Sequence, residues 1–206
     1  MVRYVLTFLY HLKEVGTLQK IHVQNQKERQ KTRSLIESSF LIALVFVATF
    51  FINIRLPIAA NGGLVHLGSA MLFTSAIVFG PKKGAIAGAF GMGLFDLVSG
   101  WTLWAPFTFI IRGLQGWIIG YIAQSAVIKW KSSIKNALAI ILSIPVMLAG
   151  YYLCEVILYD SWVIPLASVT GNIVQNIVGL VVALPLCVAM QNWNKNIKQI
   201  TEIKEK

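Results

Sequence analysis

Residues 136–190 read NALAIILSIPVMLAGYYLCEVILYDSWVIPLASVTGNIVQNIVGLVVALPLCVAM, and Glu155 and Asp160 are the only formal charges in the stretch. Two apolar runs, 136–159 and 166–190, flank a short break at Asp160-Ser161-Trp162. Each is long enough as a helix to cross a hydrocarbon layer of about 30 Å. Working outward, four more runs share this texture, at about 36–54, 65–80, 84–100 and 106–128. The whole chain agrees: of 206 residues, 56% are hydrophobic and 13% charged, with a mean hydropathy of +0.69. Ordinary soluble domains carry about 25% charged residues. So few charges cannot cover a soluble surface, and the chain is too short for a transporter of about twelve spans. The expected fold is an all-α integral membrane protein of six transmembrane helices.

The charges are a record of topology. A net charge of +10 would suggest nucleic acid in a soluble chain, but the basic residues sit between or outside the apolar runs, so no nucleic-acid partner is expected. With the N-terminus inside, sixteen of the eighteen Lys and Arg fall on the cytoplasmic side. They lie in the N-terminal zone, at Lys82 and Lys83, at Lys129, Lys131 and Lys135, and in the tail from Lys195. Only Arg55 lies in an outer loop, and Arg112 falls within the fourth span. Such a positive-inside bias needs an even number of spans and puts both termini in the cytoplasm. The chain is thus expected to divide into a basic cytoplasmic N-terminal segment (1–33), a six-helix membrane domain (34–192) and a basic cytoplasmic tail (193–206), in a plasma membrane.

For residues 1–33 two readings stand, an amphipathic helix on the membrane surface or a mobile basic tail. No small-residue cleavage site follows the short apolar stretch Tyr4–Leu12, so it does not read as a secretory signal. Cys154 and Cys187 lie inside apolar runs with neither metal-ligand nor disulfide-scaffold spacing, and read as buried free thiols. Pairs of small residues four apart, Gly84/Gly88 and Gly116/Gly120, read as close helix contacts.

Counting depth along each span collects the strong polar residues in one outer layer. His66 stands near the outer start of span two and Asp96 near the outer end of span three, with Trp101 and Trp104 following in the loop. Arg112 and Gln115 enter span four from the same side, and Tyr151, Tyr152, Glu155 and Tyr159 finish span five. Asn172, Gln175 and Asn176 share a face of span six. Ionisable groups in lipid are costly and mark function by default. Aromatics at that depth could stack on a flat ring while Asn, Gln and Arg fix its edges. The residues also admit structural readings. Asp96 and Arg112 could pair with each other, and His66 could cap a helix. The tryptophans, Trp162 above all, could form the aromatic belt, and Glu155 could be held by Tyr151 and Tyr159 on its own helix.

Enzyme signatures are missing. There is no P-loop lysine motif, HExxH or GxSxG. Of the three histidines His11 and His22 lie in the N-terminal zone, so no metal site is expected. Neither catalysis nor a cofactor is expected of this chain.

The block from Asn61 to Gly120 adds a resemblance. It carries Val65-His66-Leu67-Gly68, Phe79-Gly80-Pro81-Lys82-Lys83-Gly84, Asp96-Leu97, Ala105-Pro106-Phe107-Thr108 and Arg112-Gly113-Leu114-Gln115-Gly116. In these it resembles the substrate-binding S component of an energy-coupling factor (ECF) vitamin transporter, and most of all the group assigned to hydroxymethylpyrimidine or pyridoxine-type compounds. The resemblance implies capture of a small vitamin or precursor at an outward-facing pocket. A membrane coupling (T) protein and two cytoplasmic ATPase subunits would then deliver it. It implies a lid over 55–64, with Asn61 beside the ligand. The expected substrate-binding set is Asn61, His66, Asp96, Trp101, Trp104, Arg112, Gln115, Tyr152, Glu155, Asn172, Gln175 and Asn176. The family docks through an Ala-x-x-x-Ala pattern in span one; here Ser39 and Ala43 hold those positions. Riboflavin, folate or another vitamin stands as the alternative substrate, and a non-transport membrane protein or intramembrane enzyme as the alternative class.

Overall fold

A computed structural model describes the backbone of residues 2–55 and 64–204 and the side chains of residues 19–54 and 64–193. Six helices and one small hairpin account for nearly all of it: α1 (Val2–Phe51), β1 (Asn53–Arg55), β2 (Leu64–His66), α2 (Gly68–Phe79), α3 (Pro81–Val98), α4 (Ala105–Ala123), α5 (Ser132–Tyr159) and α6 (Leu166–Lys204). The chain divides into two compact units, Met1–Ser39 and Phe40–Lys206. In the first, the helix continues through the basic zone and its side chains from Gln19 to Ile36 are exposed. One pair there is closed, Arg33 donating from Nε to Glu37 Oε1 at 2.9 Å.

The second unit is a helix bundle turned outward. Large apolar side chains such as Phe40, Ile110, Leu142, Ile157 and Val181 are exposed, while Arg112, Gln115, Glu155, Gln175 and Asn176 are buried. That inversion suits a hydrocarbon solvent and no other. Among the described residues, three helices are by themselves long and apolar enough to cross a membrane, within Gln19–Phe51, Ser132–Tyr159 and Leu166–Trp193. α2 is apolar but has only 12 residues, about 18 Å of helix. α3 and α4, of 18 and 19 residues, are long enough, but with Lys82, Lys83 and Asp96 in the one and Arg112 in the other their composition does not make the same case.

Small residues set the packing. A Cβ added at Gly84 would lie 2.5 Å from the Ala76 Cβ and 2.8 Å from the Gly116 carbonyl oxygen, and one at Gly88 would lie 2.5 Å from the Arg112 carbonyl oxygen. α3 and α4 therefore meet backbone to backbone at the spacing read from the sequence, as close packing in lipid requires. Around that seam Leu41, Val45, Leu72, Phe73, Ala76, Ala87, Met92 and Ile119 form the core, joined by Ile140 and Ala183. Cys154 and Cys187 are buried free thiols.

Each expected span falls on a helix, with corrections at the ends: α1 begins far before residue 36 and gives way to β1 at Asn53, α4 stops at Ala123 and not at 128, and α6 runs on past 190 to Lys204. Residues 65–67 do not begin α2: β1 and β2 pair antiparallel, Asn53 opposite His66 and Arg55 opposite Leu64, and α2 starts at Gly68. Paired β-branched Ile54 and Val65 suit the extended backbone. The hairpin therefore holds His66 at one end of the bundle. α5 ends there too, where Asp160 adopts a left-handed conformation (φ 48°, ψ 42°) as its C-cap, a geometry Asp tolerates better than most residues.

Candidate functional site

The hairpin end of the second unit holds a partly open cavity of about 110 Å³. Each wall follows from helical spacing. α4 contributes Thr108 and Arg112, α5 Tyr151 and Glu155, α6 Ser168 and Asn172, and α3 Met92 and Asp96. Each of these pairs is separated by four residues and so lies on one helix face. β2 adds Leu64 and His66, α1 adds Thr49, and the α3–α4 loop adds Trp101 and Trp104.

Arg112 is the centre of the polar network and only 2% exposed. Its Nε donates to the Tyr151 hydroxyl at 3.3 Å and its Nη1 to Gln115 Oε1 at 2.9 Å. The guanidinium carbon stands 5.3 Å from the centre of the Tyr151 ring, within cation–π range. Arg112 Nη2 can only donate, so the Gln175 amide must turn its oxygen toward it. In that orientation the oxygen accepts from Arg112 Nη2 at 2.8 Å, His66 Nε2 at 2.8 Å and Ser69 Oγ at 2.9 Å, while the nitrogen donates to the Leu64 carbonyl oxygen at 2.9 Å. This sets the His66 tautomer: Nε2 carries the proton, and the buried Nδ1 has no hydrogen-bond partner among the described residues.

A polar floor lies beneath. Gln115 Nε2 donates to Asn176 Oδ1 at 3.0 Å, and Asn176 Nδ2 donates to the Asn172 carbonyl oxygen at 2.7 Å. Ser143 Oγ stands 3.4 Å from Gln115 Nε2. On the other wall, Ser168 Oγ donates to Glu155 Oε2 at 2.5 Å, and the Thr108 and Tyr151 hydroxyls share a hydrogen bond at 3.0 Å. Asp96 faces Thr108 and Arg112. Trp101 and Trp104 meet edge to face, centroids 5.2 Å apart, and Trp104 continues to Tyr159 at 6.2 Å.

Of the residues expected here, His66, Asp96, Trp101, Trp104, Arg112, Glu155, Asn172 and Gln175 line the cavity. Three do not. Gln115 and Asn176 are fully buried in the floor, because each sits a helical turn or so deeper than the lining residue on its own helix, Arg112 or Asn172. Tyr152 turns away and donates to the Trp162 carbonyl oxygen at 2.8 Å; its neighbour Tyr151, about 100° around the helix, faces the cavity instead. Glu155 is held by Ser168 of α6 and not by tyrosine hydroxyls of its own helix. Trp162 is exposed, as an aromatic belt residue would be. Asn61 and the lid segment 56–63 lie outside the described residues. Thr49, Met92, Phe95, Thr108, Tyr151 and Ser168 were missed as lining residues. Stepping four residues back from Asp96, Arg112, Glu155 and Asn172 would have found Met92, Thr108, Tyr151 and Ser168. Ser39 and Ala43 of α1 are both exposed. Among the described residues no cluster of metal-ligating side chains occurs.

Comparison with known proteins places this arrangement. Residues 29–192 match the family model of the ECF-type riboflavin transporter, S component. The thiamine precursor transporter HmpT of Lactococcus lactis is 33% identical over 141 residues, 68% of this chain and 77% of that protein. An uncharacterized Pyrococcus woesei protein is 31% identical over 129 residues, 63% of this chain and 83% of its own length. Among solved structures, the S component of a bacterial ECF transporter superposes with a TM-score of 0.62 at 22% identity, over 80% of this chain and 99% of that one. An S component for biotin gives 0.61 at 15%, over 81% and 93%. S components are multi-pass membrane proteins that bind vitamin-type substrates for a transporter complex, and they are not enzymes. The chain belongs to the S components of ECF-type transporters.

Proposed function

We propose that this S component captures a single-ring vitamin precursor of the hydroxymethylpyrimidine type. The cavity carries the reading. At about 110 Å³ it is of the order of cavities that hold one six-membered ring, since a cavity of about 150 Å³ takes a benzene. Riboflavin, with three fused rings and a polyol chain, exceeds it. The lining suits a small polar ring: Trp101 and Trp104 offer flat faces, and Asn172, Glu155 and the Thr108–Tyr151 pair offer edge contacts. The 33% identity to a thiamine precursor transporter supports the same class. Pyridoxine, also a single ring, is the nearest competitor.

The positive-inside bias supports an outward-facing cavity, because the hairpin end is opposite the Lys82–Lys83 and Lys129–Lys135 loops in chain order. Delivery would then require a membrane coupling protein and two cytoplasmic ATPase subunits. α1 offers them exposed small residues, Ala43 among them.

Calorimetry on the purified full chain tests the reading, with hydroxymethylpyrimidine, pyridoxine and riboflavin titrated in turn. One pyrimidine per chain is expected, with weaker pyridoxine binding and no riboflavin binding. Riboflavin binding without pyrimidine binding overturns it. Co-purification should recover the coupling protein and both ATPases, and Ala43→Leu should reduce that recovery while leaving ligand affinity intact.

A further inference from the structure

Two carboxyl groups and one guanidinium line the cavity, and their surroundings differ. Arg112 is directed to protein acceptors on three sides: Tyr151, Gln115 and Gln175. Its charge also acts on Asp96 across the α3–α4 seam. Glu155 has no such company. It is 5% exposed, its Oε2 accepts from Ser168 Oγ at 2.5 Å, and among the described residues Oε1 takes no hydrogen bond and no cation pairs with it. A carboxyl oxygen in the cavity wall with no protein donor and no cation beside it is placed to accept from whatever the cavity holds.

Resting on the capture of a single-ring ligand, we propose that Glu155 sets the substrate class of this cavity. It selects a heterocycle bearing an N–H donor, an exocyclic amine or a protonated ring nitrogen, and turns away rings that carry a carboxylate. The amine donates to Oε1. Asn172, one turn beyond Ser168 on α6, lines the cavity beside it and offers both a donor and an acceptor to the adjoining ring edge. A carboxylate at the same place would face Glu155 as a like charge, with the hydrogen bonds of Arg112 already directed into the protein.

Glu155→Gln in the full-length chain tests this directly. The Ser168 hydroxyl donates, so it keeps the amide oxygen, and glutamine then presents its NH₂ to the cavity, a donor facing a donor. Two ligands are titrated against wild type and variant: hydroxymethylpyrimidine, and the same pyrimidine with hydrogen in place of the amino group. Wild type should prefer the amino compound by about 10- to 100-fold, the range of a hydrogen bond to a charged group. The variant should lose that factor for the amino compound and keep its affinity for the deamino analogue. Unchanged affinity of the variant for the amino compound, or a preserved preference, overturns the assignment. Wild type that binds neither pyrimidine overturns the capture reading itself. Should Glu155→Gln fail to fold, Glu155→Asp keeps the charge one methylene further back; it should retain the preference at reduced affinity, and loss of the preference overturns the proposal.

Discussion

Arg112 joins three helices through one planar group, reaching Gln115 on its own α4, Tyr151 on α5 and Gln175 on α6. Only a fork can do this, because a lysine ammonium is a point charge on a flexible stem. Arg112→Lys should therefore weaken ligand binding by at least about tenfold and also lower the melting temperature, since buried acceptors lose their donor. Asn172→Ala is the contrast. Among the described residues its side chain makes no hydrogen bond, its contribution to the network being the main-chain oxygen that receives Asn176. Affinity should fall about tenfold with the melting temperature nearly unmoved; calorimetry and thermal unfolding of the two variants separate the roles. At this scale the polar layer was legible because depth in a helix can be counted. Angle was harder: Tyr151 and Tyr152 have equal depth and similar chemistry, and only packing decides which one faces inward. Gln115 and Asn176 were legible as buried and polar but not as floor, since one turn of helix separates contact from support.

At the scale of elements, α3 and α4 depend on missing side chains. Gly88→Ala would drive a Cβ to 2.5 Å from the Arg112 carbonyl oxygen, and backbone cannot yield as a side chain tip can. The expected cost is about 1–3 kcal/mol of stability, together with weaker binding because the displaced segment carries Arg112. Gly113→Ala, whose new Cβ would meet the Ala89 methyl at 3.2 Å and the Ala85 carbonyl oxygen at 3.6 Å, should cost less; thermal unfolding of both gives the order. The glycine spacing that makes this seam was readable from sequence, and so were the helices, because apolar runs between charged punctuation leave few other solutions in lipid. The β1–β2 hairpin was not. Strands of three residues are too short to show alternation, and they sit where two apolar runs meet a loop. The continuation of α1 through the basic zone was hidden for the opposite reason, since hydropathy falls away while the helical backbone does not.

For the whole molecule, orientation can be tested without reference to the ligand. Leu103 precedes α4 and Lys129 follows it, and both are exposed. The native cysteines are buried, so single cysteines placed at these two positions can be labelled selectively. The charge asymmetry leads us to expect Leu103→Cys to react with an impermeant reagent from outside intact cells and Lys129→Cys only after permeabilisation. The reverse pattern would invert the direction of capture. Every cavity side chain falls between Thr49 and Gln175, whereas residues 1–28 precede the family match. Removing them should leave affinity within about twofold, as expected of a region that contributes no side chain to the cavity.

Gln175 and Ser168 both belong to α6, the last helix to be made, and both answer charged or polar groups laid down earlier: Arg112 and His66 for the one, Glu155 for the other. During synthesis the chain thus carries, through five helices, a guanidinium and a carboxyl group with incomplete partners. Completion of the cavity wall and completion of those hydrogen bonds are the same event. A chain halted before residue 166 would lack Ser168, Asn172 and Gln175 from the cavity wall. The cavity is thus the last part of the bundle to be completed, because part of its wall waits for α6.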